Sequence, residues 1–270
     1  MKRDKFIDAG ISYDIFWNPD IKSETIGLYL YGFPGSIGAN NLTNLMLDSG
    51  LKVIQPHYPG TYDSARLFSP EESYTFMKKL DETINTGTVY STKKDKNINF
   101  KGKLKFAIGH SFGCFSLLRS AQYFKDIETI ILFGPAITYT SNSKNNTYTG
   151  LIEDPEKHIN YVTRSKPFTY RMGDKKLFYK LYDGHYDKLD LSLNRKLKNI
   201  IGIVGTDDPY FNNEILNKEF YKFLKSSTSN NVNIKLITIE GANHSVQTLL
   251  TDEVTNIINN AMNEICTNDE

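Results

Sequence analysis

Gly109-His110-Ser111-Phe112-Gly113 follows directly on the apolar run Leu104-Lys105-Phe106-Ala107-Ile108. It precedes a stretch, Cys114 to Phe124, with helical patterning. A G-x-S-x-G pattern between strand and helix constrains the backbone severely. The serine has to sit on a sharp, strained turn with its hydroxyl pushed out over the sheet edge. The residues two before and two after crowd each other, and only glycine fits there without a Cβ clash. The start of the following helix offers backbone N–H groups and a positive dipole end to a developing oxyanion.

The rest of the chain supplies a sheet for such a turn. Ile11 to Trp17 and Thr25 to Tyr31 read as strands broken by Asn18-Pro19-Asp20. Leu51 to Gln55, Thr129 to Phe133, Asn199 to Val204 and Val232 to Ile239 read as further strands. Helices are expected at Asn41 to Asp48, from Ser69-Pro70-Glu71-Glu72 past Leu80, at Glu214 to Lys225, and as one final helix from Ser245 to Ile265. Ser91 to Lys103 is polar and reads as a solvated loop. Strands alternating with helices imply an α/β fold, a mostly parallel sheet with helices on both faces. Regular alternation fails between residues 139 and 198, which carry twelve Lys and Arg against seven Asp and Glu and many aromatic residues. That stretch reads as an inserted lid between core segments 1–138 and 199–270.

Composition excludes several classes. With 270 residues, 39% of them hydrophobic and 23% charged, the chain can bury one large core. A net charge of +1 gives no overall footprint for nucleic acid. Met1 to Gly10 is charged and lacks the apolar segment of a secretion signal, and no apolar run reaches the length of a membrane span. The two cysteines, Cys114 and Cys266, are too few for a disulfide framework and read as reduced thiols of a cytoplasmic protein. No metal-ligand cluster, phosphate loop or dinucleotide fingerprint is present, so no cofactor is expected.

A serine hydroxyl becomes a useful nucleophile only beside a base that a third group orients. In open parallel sheets such groups gather at the carboxyl ends of strands. The strand Asn199 to Val204 leads to Gly205-Thr206-Asp207-Asp208, which offers two carboxylates. The strand Val232 to Ile239 leads to Glu240-Gly241-Ala242-Asn243-His244. The chain order is therefore Ser111, Asp208, His244. The other four of the five histidines compete for the role of base. His110 should point away from Ser111, His57 is the fallback base and could line the pocket, and His158 and His185 fall in the insertion.

With these residues in hand the chain resembles the α/β-hydrolase superfamily over essentially its whole length. Tyr31-Gly32-Phe33-Pro34-Gly35 is similar to the family's His-Gly-Phe-Pro-Gly loop after the third strand. His57-Tyr58-Pro59-Gly60 with Ser64 is similar to the loop after the fourth. The resemblance implies an oxyanion hole made by the N–H groups of Phe33 and Phe112. It also favours Asp208 over Asp207 as the acid, since the family places the acid three residues after the strand-end glycine. Tyr31 departs from the family's usual histidine, which supports that loop rather than reacting.

The expectation is thus a serine hydrolase with a Ser111–His244–Asp208 triad and an acyl-enzyme intermediate, acting on a small-molecule acyl substrate, in the first place a small carboxylic ester. Amide, thioester or C–C bond hydrolysis, or acyl transfer, is the alternative within this fold. A binding protein that keeps the pocket without catalysis is a third reading. The aromatic residues of the insertion, among them Tyr139, Tyr148, Tyr161, Phe168, Tyr170 and Phe178, could shape an acyl pocket or simply cover the sheet. The insertion's basic excess could favour anionic substrates.

Overall fold

The computed structural model describes residues 1–21, 23–136, 155–166, 168–183, 185–186, 188–210, 213–229 and 231–267. Among these residues ten strands form one sheet: β1 (Lys2–Asp8), β2 (Ile11–Trp17), β3 (Thr25–Leu30), β4 (Lys52–Pro56), β5 (Thr88–Ser91), β6 (Lys96–Asn99), β7 (Lys103–His110), β8 (Thr129–Phe133), β9 (Asn199–Gly205) and β10 (Asn233–Ile239). Their order is β10-β9-β8-β7-β3-β4-β2-β1-β5-β6. From β10 to β4 every neighbouring pair is parallel, whereas β2, β1, β5 and β6 join antiparallel.

The parallel strands are continuous apolar runs because both faces are covered. All six residues of β3 and all five of β8 are buried. Helices α1 (Asn41–Asp48) and α9 (Asp252–Thr267) pack on each other and on the sheet. Helix α4 (Phe112–Ser120) packs on β7 and β3 and against α2 (Glu72–Thr75). Helix α3 (Met77–Thr86) continues beyond α2 and ends on Gly87 in the left-handed region, at φ 73°. Asn40 caps α1, its side chain accepting from the N–H groups of Leu42 and Thr43.

Two expectations fail here. The polar stretch from Ser91 to Lys103 is not wholly a loop, since it contributes to the β5–β6 hairpin at the sheet edge. Its strands bury little side chain, so hydrophobic patterning does not reveal them. The final helix is two. Helix α8 (Val246–Leu249) stops at Leu250, where φ is −87° and ψ 69°. Helix α9 then starts anew, with the Thr251 hydroxyl accepting from the Val254 N–H at 3.3 Å.

The described part of the insertion holds α5 (Pro155–Ser165) and α6 (Lys175–Tyr179). Residues 169–173 are stitched to the loop after β4. The Tyr62 N–H donates to Thr169 O, Arg171 N–H to Gly60 O, Phe68 N–H to Arg171 O, and Gly173 N–H to Phe68 O. Tyr170 and Phe178 are buried against the core residues Phe33 and Phe68, with ring centroids 4.6–5.7 Å apart within that group. These two aromatics therefore pack on the loops that follow β3 and β4. Phe168 is 97% exposed. Tyr139 and Tyr148 lie outside the described residues.

The loop after β4 is anchored by charge. The buried ring of His57 lies between two carboxylates, Nδ1 2.5 Å from Asp63 Oδ1 and Nε2 3.1 Å from Asp14 Oδ2. Arg3 pairs with Asp14 and Lys5 with Asp63. Burial pushes both carboxyls up, but bonds to cations outweigh it. Lys5 and His57 hold Asp63 down at about 2, and His57 and Arg3 hold Asp14 below the usual range.

This cluster predicts acid sensitivity. A carboxylate whose folded pKa lies below its unfolded value of about 3.9 stabilises the fold above that value. The contribution is lost as pH falls toward about 2. Melting temperatures taken from pH 5 to pH 2 should fall more steeply for the natural chain than for Asp63→Asn. Parallel curves would show that the cluster contributes nothing to acid stability.

Candidate active site

The registers of the parallel strands bring four strand ends into line. His110 pairs with Phe133, Phe133 with Ile203, and Gly205 with Ile239. The residues that follow these ends are Ser111, Gly134, the Asp207-Asp208 pair and the His244 loop.

Ser111 has φ 54° and ψ −121°, a backbone region costly for any residue with a Cβ. The flanking glycines are required by close approach. A Cβ on Gly109 would lie 2.9 Å from Cys114 Cα, and one on Gly113 would lie 2.1 Å from Leu30 O. The crowding around Gly113 thus comes from β3, not from Gly109. Phe112 opens α4 immediately after the serine, and its ring lies 5.4 Å from that of Phe33.

Of the two candidate carboxylates, Asp208 contacts the histidine. His244 Nδ1 lies 2.6 Å from Asp208 Oδ2, and the Tyr210 N–H donates to Asp208 Oδ1 at 2.9 Å. The Asp208 side chain is fully buried, and that of His244 is 15% exposed. Asp207 is exposed, with its carboxylate accepting from the Thr206 hydroxyl at 3.2 Å. The acid loop and the histidine loop are tied by backbone. Thr206 N–H donates to Ile239 O and Asp207 N–H to Ala242 O. Gly205 permits that approach, since a Cβ there would come 1.9 Å from Ala242 O.

His57, the fallback base, is occupied elsewhere: both of its nitrogens serve the Asp14–Asp63 cluster, and it does not line the cleft beside His244. His110 does not simply point away. Its Nε2–H donates to the carbonyl of His244 at 3.0 Å, fixing the loop that carries the histidine. Burial, reinforced by His244, lowers the His110 pKa to about 4, so the ring is neutral with its proton on Nε2. Tyr31 takes over the support expected of histidine at its position. Its buried hydroxyl accepts from the Tyr58 N–H at 3.1 Å and bonds the Thr61 hydroxyl at 3.1 Å, and the Tyr58 hydroxyl donates to Tyr31 O at 2.8 Å.

Sequence reasoning misses Gly134. With φ +50°, Gly134 lies against the His244–Asp208 pair. A Cβ there would come 2.7 Å from His244 Cε1 and 2.8 Å from Nδ1. No signal in the chain marks this role, because the contact arises only when two loops meet.

A cleft of about 760 Å³ opens beside His244. Its walls include His110, Gly32 and Tyr210 but not Ser111 itself. Gly32 stands between, its missing Cβ 3.1 Å from Ser111 Cβ. Among the described residues no group of three His, Cys, Asp or Glu side chains is placed to hold a metal ion. No described helix is long and apolar enough to cross a membrane.

The fold recurs in solved structures. A monoacylglycerol lipase of Paleococcus ferrophilus superposes with a TM-score of 0.60 at 17% identity, over 96% of this chain and 99% of the other. An esterase of Pyrococcus furiosus matches with a TM-score of 0.61 at 16% identity, over 97% and 92%. The chain has the α/β-hydrolase fold. A carboxylesterase structure from Nitrososphaera gargenis shares this hydrolase fold with a TM-score of 0.58 at 18% identity, over 98% and 99% of the two chains. No family model and no curated protein sequence matches the chain.

Proposed function

We propose that this chain is a serine hydrolase acting on a small carboxylic ester through an acyl-enzyme. One contact carries the reading: the 2.6 Å hydrogen bond between His244 and Asp208, at the sheet edge where Ser111 occupies its strained turn. Binding alone needs neither an oriented imidazole nor a strained serine. The named activities of the similar structures, a monoacylglycerol lipase and esterases, favour an ester over other acyl substrates.

In this mechanism His244 takes the Ser111 hydroxyl proton as Ser111 Oγ bonds to the acyl carbon. The N–H groups of Phe33 and Phe112 receive the oxyanion. Loss of one such donor typically costs about 3–4 kcal/mol of barrier. His244 then gives its proton to the departing alkoxide as the carbon–oxygen bond breaks. Water, deprotonated by His244, attacks the acyl-enzyme and returns the serine. Asp208 keeps the His244 proton on Nδ1 in the resting state and stabilises the imidazolium during each transfer. His110 and Gly134 position the histidine from either side. Residues 139–198 serve as the lid over a core of 1–138 and 199–270. Cys114 and Cys266 form no disulfide, which supports a cytoplasmic setting.

With p-nitrophenyl acetate the purified chain should show a burst of p-nitrophenol equal to the number of active sites, then steady turnover. A chain that turns over no small ester and is not labelled by a serine-reactive phosphonate would reject the reading.

A further inference from the structure

The cleft beside His244 carries more chemistry than the triad uses. Among the described residues none of its walls is Lys, Arg, Asp or Glu. The polar groups are neutral: Ser36, Asn41, Asn243, Ser245 and Gln247, with Tyr210 offering a ring 4.8 Å from that of His244. Its apolar walls are ring faces and prolines, Tyr29, Tyr31, Pro34, Pro209 and Tyr210, with Val246 the one aliphatic side chain among the described lining residues. Tyr170 and Phe178 are spent on packing against Phe33 and Phe68 and do not line it. Amide and hydroxyl groups both donate and accept, so they match the hydroxyls of a polyol, while a ring face covers its C–H surface.

The position of the cleft says which half of a substrate it takes. The departing alcohol receives its proton from His244, so it leaves on that side. His244 and its neighbours Asn243, Ser245, Val246 and Gln247 form one wall. Phe33 and Phe112, assigned to the oxyanion, are buried and form none of it. Lys166 does not line the cleft, and its ammonium is engaged by Gly35 O at 2.9 Å and Ser36 Oγ at 2.7 Å.

We infer that the cleft selects esters whose alcohol is neutral and rich in hydroxyl groups, such as an acylated sugar or polyol. This rests on the serine-hydrolase reading above. It departs from the expectation that the insertion's basic excess favours anions.

The test compares acetyl esters, so that the acyl group is constant. Methyl 6-O-acetylglucoside and cyclohexylmethyl acetate share a six-membered ring and a primary alcohol but differ in hydroxyls. A site built to bond hydroxyls penalises an analogue lacking them. The glucoside should therefore show at least about tenfold higher kcat/KM. Glycerol 3-phosphate monoacetate should be no better than glycerol monoacetate. In the double variant Asn41→Leu with Gln247→Leu, both at exposed positions, the glucoside preference should fall by about tenfold, mainly through KM. Equal or reversed preference for cyclohexylmethyl acetate, or a preference for the phosphate ester, with p-nitrophenyl acetate still turned over, overturns the inference and leaves the hydrolase reading standing. No turnover of any ester removes both.

Discussion

Ser111→Ala should lower kcat by about four to six orders of magnitude and abolish phosphonate labelling. Without an oxygen at this turn no acyl-enzyme forms, and the remaining rate comes from binding and the oxyanion donors alone. The fold should survive. Alanine keeps a Cβ, so the strain at φ 54° is unchanged, and the serine side chain makes no helix-capping bond. Ser111→Gly separates chemistry from strain. Glycine adopts φ 54°, ψ −121° readily, so this variant should be as inactive as alanine yet more stable by about 1 kcal/mol or more. Chemical denaturation reads the stability, and p-nitrophenyl acetate reads the rate. A glycine variant no more stable than the natural chain would mean that the turn stores no strain. An alanine variant with near-natural kcat would remove Ser111 from the chemistry.

The second large effect distinguishes two adjacent carboxylates. Asp208→Asn keeps the shape but replaces the acceptor facing His244 Nδ1 with a group that can present an N–H. The imidazole then shifts toward the tautomer with its proton on Nε2, where it cannot take one from serine. A loss of about 10⁴ in kcat is expected. The same exchange at Asp207, whose carboxylate faces solvent and the Thr206 hydroxyl, should change kcat by less than about threefold. Equal losses at both positions, or a larger one at Asp207, would contradict the assignment of the acid.

How much of this was legible in the sequence depends on whether the signal is local. Strands β3, β4, β7, β8 and β9 stand out because burial on both faces demands apolar runs, whereas β10, at the sheet edge, stands out by its largely alternating apolar residues. Strand β1 does not, since Lys2–Asp8 turns charged residues outward and buries Asp4 as well as Phe6. The buried Asp4 carboxylate is satisfied by Ser91 and Lys94, residues far along the chain that no local window contains. The edge hairpin β5–β6 is hidden for the same reason. At the site, the G-x-S-x-G turn and the acid and histidine after β9 and β10 follow from spacing. The choice between Asp207 and Asp208 rests in the sequence on resemblance, and in the structure on a single contact. The roles of His110 and Gly134 could not be read at all. Each exists because the ends of β7, β8 and β10 meet, and neither residue type announces such a meeting. Tyr31 shows the converse. A departure from the usual histidine leaves the loop supported, because a phenol reaches the Tyr58 backbone and Thr61.

The ring of Phe33 lies among Phe68, Phe112, Tyr170 and Phe178, so a residue assigned to catalysis shares its packing with the insertion. The segment bearing Tyr170 and Phe178 is therefore not a cassette that can be swapped between relatives or trimmed to widen the entrance. Re-engineering of substrate range in this scaffold is better directed at the exposed wall residues Asn41 and Gln247, whose side chains can be exchanged without unseating the residues beneath.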